Sequence, residues 1–336
     1  MRRYFAVVAL IGLVLALSGC GGATATPEAA PPATQPALTP VTLMLDWVPN
    51  TNHTGIFVAQ QKGYFEEAGL DVNIVQPGEV YAEQAVASGA ADFGVSFQEP
   101  ITLARADGVP LVSIAAIIQH NTSGFASRAA LGVSSPKGWE GLRYGSYGGS
   151  FEEPVMRGLM SCDGGDYDQL QVVDIGFTDP LALLREEQID LAWIYYAWEG
   201  IQAEQEGIDL NIVMMSDWTD CIPDYYTPVL IASEQTIAER PEVVRAFLQA
   251  VSRGYVFAIE NPDEAASILL ESVPELDEEL VRESQRWLSP RYQADAPRWG
   301  EQRLEVWESF SNWMAQNGII AEPIDAQAAF TNAFLP

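Results

Sequence analysis

Residues 41–75, VTLMLDWVPNTNHTGIFVAQQKGYFEEAGLDVNIV, decide the fold class. Val41–Leu45 is an apolar run of strand length that breaks at Asp46-Trp47. A loop with Pro49 and Asn50 follows. From Thr54 to Ala68 the apolar residues recur with helical period, and Gly69 supplies a C-terminal stop. Leu70–Val75 then alternates apolar and polar, as a half-buried strand does. Strand, helix and strand in about 35 residues make a βαβ unit. Its right-handed crossover leaves the two strands parallel.

The same alternation continues outward. Tyr81–Ser88 reads as a helix, Ala91–Ser96 as a strand, Glu99–Asp107 as a helix and Leu111–Ile118 as a buried strand. It then restarts with a strand at Gly141–Gly145 and a helix running from Tyr147-Gly148-Gly149-Ser150 to Met160. Strands follow at Leu170–Asp174, Asp190–Tyr195, Leu210–Met215 and Val229–Ala232, with helices at Pro180–Glu187 and up to Glu206 between them. The last third is helical, at Pro241–Glu260, Pro262–Glu271, Glu278–Trp287 and Gly300–Gly318. Trp287, Trp299, Trp307 and Trp313 are spaced to pack against the first lobe. The class is therefore α/β, with two lobes, the second inserted into the first. The expected division is 41–128 plus 229–336 for one lobe and 129–228 for the other, with crossovers near Ser127–Val133 and Thr227–Ser233. Ligands of such sheets bind at the carboxyl ends of the strands, so the two lobes should face one another across a ligand cleft.

The ends and the composition restrict the function. Arg2 and Arg3 precede a 14-residue apolar run, Tyr4–Leu17. As a helix it reaches about 21 Å, short of the ~30 Å hydrocarbon core, so it reads as a signal peptide over 1–19. Leu17-Ser18-Gly19-Cys20 looks like a bacterial lipobox, which makes Cys20 the lipidation site. Residues 20–40, rich in alanine and proline, form an extended tether. With 17 basic against 46 acidic side chains, the net charge of −29 opposes nucleic acid as a partner. Two histidines and three cysteines disfavour a multi-ligand metal site, and no metal or cofactor is expected. Cys162 and Cys221, in an exported chain, are expected to form a disulfide.

The stretch Asp46-Trp47-Val48-Pro49-Asn50-Thr51-Asn52-His53-Thr54-Gly55 resembles a known family. Lys62-Gly63-Tyr64-Phe65, Ser88-Gly89, Ala91-Asp92-Phe93-Gly94 and Ile117-Ile118-Gln119-His120-Asn121-Thr122-Ser123 strengthen the match. From about Val41 to Pro336 the chain is similar to solute-binding proteins of ABC importers related to the thiamine-pyrimidine synthases of fungi. The resemblance implies a type II periplasmic-binding-protein fold closing on a flat nitrogen heterocycle. It also implies an ABC permease with its ATPase as partners; the lipobox and tether place the chain, expected to be a monomer, as a lipid-anchored protein on the outer face of the cell membrane or its periplasmic face.

The synthase branch implies a lysine that holds pyridoxal phosphate and, four residues on, a histidine consumed as substrate. Aligned through Gly94 and Gly108, this chain has Ser96 and Pro100 there, and its lysines are Lys62 and Lys137. A Schiff base needs an amine at the aldehyde, so the chain is not expected to be an enzyme.

The candidate ligand contacts sit where strands end. Asp46 and Trp47 follow the first strand, offering a carboxylate acceptor and a stacking face. Asn50, His53 and Thr54 follow in the loop and first helical turn. Phe97 and Gln98, in Phe97-Gln98-Glu99, end the third strand, and Gln119 and Asn121 end the fourth. Ser150 and Glu152 close a Gly-rich turn into a helix. Tyr195, Trp198 and Glu199 form the densest aromatic patch, and Tyr225, with Trp218 and Tyr226, closes a cage from the return segment. A wide cage suits a three-ring isoalloxazine. The first loop also departs from the N-A-V-H of thiamine-precursor binders. Riboflavin is therefore the expected ligand, and a thiamine pyrimidine precursor of the formylaminopyrimidine or hydroxymethylpyrimidine type is the alternative.

Overall fold

The computed structural model describes residues 37–78, 80–176 and 178–336. The signal peptide, Cys20 and nearly all of the tether lie outside the described residues. Among the described residues no helix is long and apolar enough to cross a membrane.

Among the described residues ten strands form two five-stranded sheets. β1 (Thr39–Met44), β2 (Leu70–Val75), β3 (Phe93–Ser96), β4 (Leu111–Ala116) and β10 (Val229–Ser233) make the first, in the order β2-β1-β3-β10-β4. β5 (Ser123–Arg128), β6 (Arg143–Ser146), β7 (Gln171–Asp174), β8 (Leu191–Tyr195) and β9 (Leu210–Met214) make the second, in the order β7-β6-β8-β5-β9. β1 is parallel to β2 and β3, and β6 is parallel to β7 and β8. β10 runs antiparallel to both its neighbours, and so does β5. The topology requires this. The chain crosses between lobes where the other strands end, so a strand that has just crossed must run away from that boundary.

The first crossover, expected near Ser127–Val133, lies earlier: sheet membership changes between β4 and β5, and Ser123–Arg128 is a strand of the second sheet. At the other end Thr39 and Pro40, read as tether, already belong to β1, where Thr39 pairs with Leu70. The single helix read over Thr54–Ala68 is two, Thr54–Gln61 and Tyr64–Glu67, because Gly63 turns the chain at φ 71°. The helix read as ending at Trp287 continues to Gln293.

The first lobe's core is built on helix Pro241–Glu260. Phe247 is fully buried and stacks on Phe93 with ring centroids 4.0 Å apart. This helix meets Thr54–Gln61 so closely that a Cβ on Gly254 would lie 1.9 Å from the Gly55 carbonyl oxygen. Only glycine fits there. Trp299 and Trp307 pack in the first lobe, as expected, and Trp287 lies against it. Trp313 does not. It joins Phe310 and Met314 in the second lobe's core, and a Cβ on Gly158 would come within 2.6 Å of its ring. The helix Leu304–Gln316 thus serves both lobes. Cys162 and Cys221 are bonded, with Cα atoms 5.7 Å apart and a sequence separation of 59. A loop of that length contributes roughly 4 kcal/mol in the chain-entropy picture.

Candidate functional site

β1, β3, β4 and β8 all end at the lobe boundary, and the two crossovers pass through it. Behind β1, Asn50 caps the short turn Thr51–His53, its side-chain oxygen accepting from Asn52 N–H at 2.9 Å. His53 Nδ1 accepts from Asn50 N–H at 3.2 Å, so the ring proton sits on Nε2 and is donated to Asp46 Oδ1 at 2.6 Å. His53 is fully buried, with both nitrogens engaged. It therefore holds Asp46 in place and is not itself an open contact. Asn50's amide is spent on the turn as well, donating to the Val48 carbonyl. From below, Tyr255 and Tyr292 donate to the carbonyls of Asn52 and Thr51, at 2.6 and 2.5 Å. Thr54 is buried at the head of its helix, and Trp47 is half-buried beside Asp46.

The centre of the boundary is Tyr195, at the end of β8. Its ring lies nearly parallel to that of Phe97, with centroids 6.1 Å apart, so an aromatic pair spans the two lobes. Its hydroxyl is 3.5 Å from Thr227 Oγ1. Burial holds the hydroxyl well above its ordinary pKa, and the negative charges of Glu99, Asp46 and Glu199 add to this. Carboxylates of both lobes thus act electrostatically on one phenol. Burial pushes Glu99 up to about 7. Burial also pushes Glu199 up to about 7, although its Oε2 accepts the Tyr195 N–H at 2.9 Å. Groups poised near neutrality in a desolvated boundary are a mark of functional sites.

Other expected contacts are committed elsewhere. Gln98 is fully buried and faces away, its side-chain oxygen accepting from Tyr226 N–H at 2.9 Å. Its neighbour Glu99 is the residue that faces the boundary. Consecutive helical residues point about 100° apart, and sequence alone left that phase undetermined. Gln119 donates to the Glu301 carbonyl at 3.0 Å. Asn121 Oδ1 accepts from Ser123 N–H and Oγ–H, both at 2.7 Å. Glu152 folds back to accept from Tyr144 OH at 2.5 Å, Gly149 N–H at 2.5 Å and Tyr147 N–H at 3.2 Å, so it pins the Gly-rich loop. Ser150 is exposed on that loop.

The wide cage does not assemble. Residues 196–200 form a π-turn, a local irregularity that often accompanies function. It turns Ala197 and Trp198 onto the first lobe's core, and Tyr196 onto Trp287 at 5.1 Å. Tyr225 packs on Phe310, with centroids 4.4 Å apart, Trp218 joins the second core and Tyr226 the first. Trp198 and Tyr226 thus pack onto the first lobe and Tyr225 and Trp218 into the second lobe's core, while Phe97 and Tyr195 pair across the boundary. A surface depression of about 510 Å³ lined by Val112, Glu234, Gln302 and Phe330 shares no residue with it. Among the described residues no cluster of three or more His, Cys, Asp or Glu is placed to hold a metal.

Two sheets, two crossovers and an acidic aromatic boundary define a periplasmic-binding-protein fold of type II. The alkanesulfonate-binding protein SsuA of Xanthomonas axonopodis has the same fold, with a TM-score of 0.66 at 13% identity, covering 89% of this chain and 99% of that one. Residues 50–265 match the family described as NMT1/THI5 like, and the chain belongs to that family. It is 32% identical to a formylaminopyrimidine-binding protein of Halalkalibacterium halodurans, over 98% of this chain and 99% of that one. It is 27% identical to the riboflavin-binding protein RibY of Chloroflexus aurantiacus, over 96% and 95%. It is 28% identical to a 4-amino-5-hydroxymethyl-2-methylpyrimidine phosphate synthase of Legionella pneumophila, over 88% and 92%.

Proposed function

We propose that this protein is the extracytoplasmic solute-binding lipoprotein of an ABC importer, anchored through Cys20, and that it captures a planar nitrogen heterocycle for a permease and its ATPase. The observation that carries this is the Phe97–Tyr195 pair spanning the lobes, with the charges of Glu99, Asp46 and Glu199 acting on the Tyr195 hydroxyl. A flat ring gains by stacking on aromatic faces, and carboxylates accept from ring and exocyclic N–H groups.

An aminopyrimidine of the formylaminopyrimidine kind is the first choice of ligand. The boundary is rich in acceptors, and such a pyrimidine presents exocyclic N–H donors. The 32% identity to a formylaminopyrimidine-binding protein over nearly the whole chain supports the same choice. Riboflavin, the ligand expected from the sequence, becomes the second reading. It is favoured by the similarity to RibY and weakened by the loss of the wide cage, since Trp198 and Tyr225 are spent on packing.

The synthase alternative lacks its chemistry here. Where the enzymes carry the cofactor lysine this chain has Ser96, fully buried and donating to Glu83. Lys62 pairs with Glu264 on the outer face of the first lobe, at 2.9 Å. The residues present do not fit pyridoxal phosphate held as an aldimine. Calorimetric titration of the ligand-free body with a 4-aminopyrimidine and with riboflavin tests the proposal, and binding of neither would refute it.

A further inference from the structure

The two crossovers run side by side at the hinge, where Ile117 N–H donates to the Pro228 carbonyl at 2.9 Å. His120, half-exposed on the first crossover, reaches two carboxylates there. Its Nδ1 lies 2.5 Å from Asp224 Oδ2 and its Nε2 3.0 Å from Asp295 Oδ1. Ionised carboxylates only accept, so both contacts are hydrogen bonds only when both ring nitrogens carry protons. The two partners belong to different lobes. Asp224 lies on the return crossover close after Cys221, and the bond from Cys221 to Cys162 ties that segment to helix Glu152–Cys162 of the second lobe. Asp224 Oδ1 also accepts from Asn121 N–H and Tyr225 N–H, both at 3.0 Å, so this carboxylate is fixed. Asp295 follows helix Glu278–Gln293, whose Tyr292 is part of the first lobe's core. Ala294, just before it, stands at φ 43°, a strained conformation for a residue with a Cβ, and such strain collects at switch segments.

We propose that His120 is a protonation-controlled latch across the hinge: charged, it ties Asp224, anchored to the second lobe, to Asp295 of the first and favours the closed arrangement of the lobes; neutral, it gives up one carboxylate and lets the lobes part. A neutral imidazole has a single N–H, so its other nitrogen turns a lone pair towards a carboxylate and that contact becomes repulsive. The bond to Asp224, against an opposing effect of burial, holds the imidazole above its ordinary 6.5, and Asp295 adds to this. The bridge is therefore complete below pH 6.5 and is lost as the pH rises through the raised value. Neighbouring charges do not take its place. Arg303 acts on Asp295, Arg298 pairs with Glu301 at 2.8 Å, Arg291 lies over the Trp287 ring, and the Tyr226 hydroxyl accepts from Arg303 N–H. His53, the other histidine of the chain, is fully buried with both nitrogens engaged. The latch goes beyond the solute-binding function proposed above, since it acts from the hinge whatever solute fills the cleft.

The test is small-angle X-ray scattering of the ligand-free, disulfide-intact protein at about pH 6 and about pH 9, using the natural chain, His120→Gln and Asp295→Asn. The second change is isosteric and falls on an exposed side chain, and thermal unfolding checks that each variant is folded. The natural protein should expand as the pH rises, read as a larger radius of gyration. Both variants lack the bridge, so they should already be expanded at about pH 6 and change less by about pH 9. Glu99 and Glu199 also titrate in this range. They are present in all three proteins, so the difference between natural and variant belongs to His120. Proton NMR supplies a second readout. The His120 ring signal, identified by its loss in His120→Gln, should titrate above 6.5 in the natural protein and lower in Asp295→Asn. A radius that responds to pH equally in all three proteins, or in none, would overturn the proposal. So would a His120 signal that titrates at or below 6.5.

Discussion

Replacing Glu99 by glutamine removes a buried carboxyl whose pKa stands at about 7 against an ordinary 4.5. Burial is the main cause, so the folded state holds this proton more tightly than the unfolded chain does. Stability from this group is therefore intact below about pH 4.5, falls as the pH rises from there to about 7, and levels off above. A tenfold difference in proton affinity between the folded and unfolded chains is worth about 1.36 kcal/mol, so charging Glu99 costs the fold about 3 kcal/mol in full. Between about pH 5 and pH 8.5 the part traversed is roughly 2–3 kcal/mol. Glutamine mimics the neutral acid at every pH. The variant should lie close to the natural protein at about pH 5 and gain on it by roughly 2–3 kcal/mol at about pH 8.5. Urea unfolding followed by tryptophan fluorescence, with the disulfide intact, measures both gaps. Equal gaps at the two pH values would refute the burial of an ionisable Glu99.

Phe247→Ala removes the ring stacked on Phe93 and should cost about 3–5 kcal/mol, read as a lower urea midpoint; a loss below about 1 kcal/mol would contradict the packing. His53→Ala leaves Asp46 and the Asn50 N–H without their partner, so it should lower stability by about 1.5–3 kcal/mol and weaken solute binding at least tenfold. An unchanged affinity would show that Asp46 needs no support. Cys20→Ala should abolish metabolic lipid labelling of the chain, and labelling that persists would exclude that cysteine as the anchor.

The first lobe was legible because 41–75 punctuates itself: an apolar run, Pro49, a helical period, Gly69 and an alternating strand. Ser123–Arg128 was not, because SGFASR has only Phe125 and Ala126 as interior residues of apolar type, and its strand character comes from β8 and β9 on either side. Trp313 was placed with the wrong lobe because helical spacing tells which face is buried and not what buries it. At the site, strand ends point to segments that lie along the lobe boundary, but the roles within them are set by tertiary partners. His53 was visible as a polar group, and the Asn50 N–H that makes it a support for Asp46 was not. Gln98 and Glu99 differ only in helical phase, and the structure turns Glu99 to the boundary. Trp198 and Tyr225 lie in the expected segments, but a sequence does not show that core packing, against the first lobe for Trp198 and within the second for Tyr225, will occupy their rings.

The most direct test of the account is a competition titration of the ligand-free body with a formylaminopyrimidine and with riboflavin, followed by calorimetry and by flavin fluorescence. The account predicts one-to-one binding of the pyrimidine at micromolar or tighter affinity, and weaker binding of riboflavin that the pyrimidine displaces. Failure of both compounds to bind at millimolar concentration would contradict the assignment of the Phe97–Tyr195 boundary as a heterocycle site.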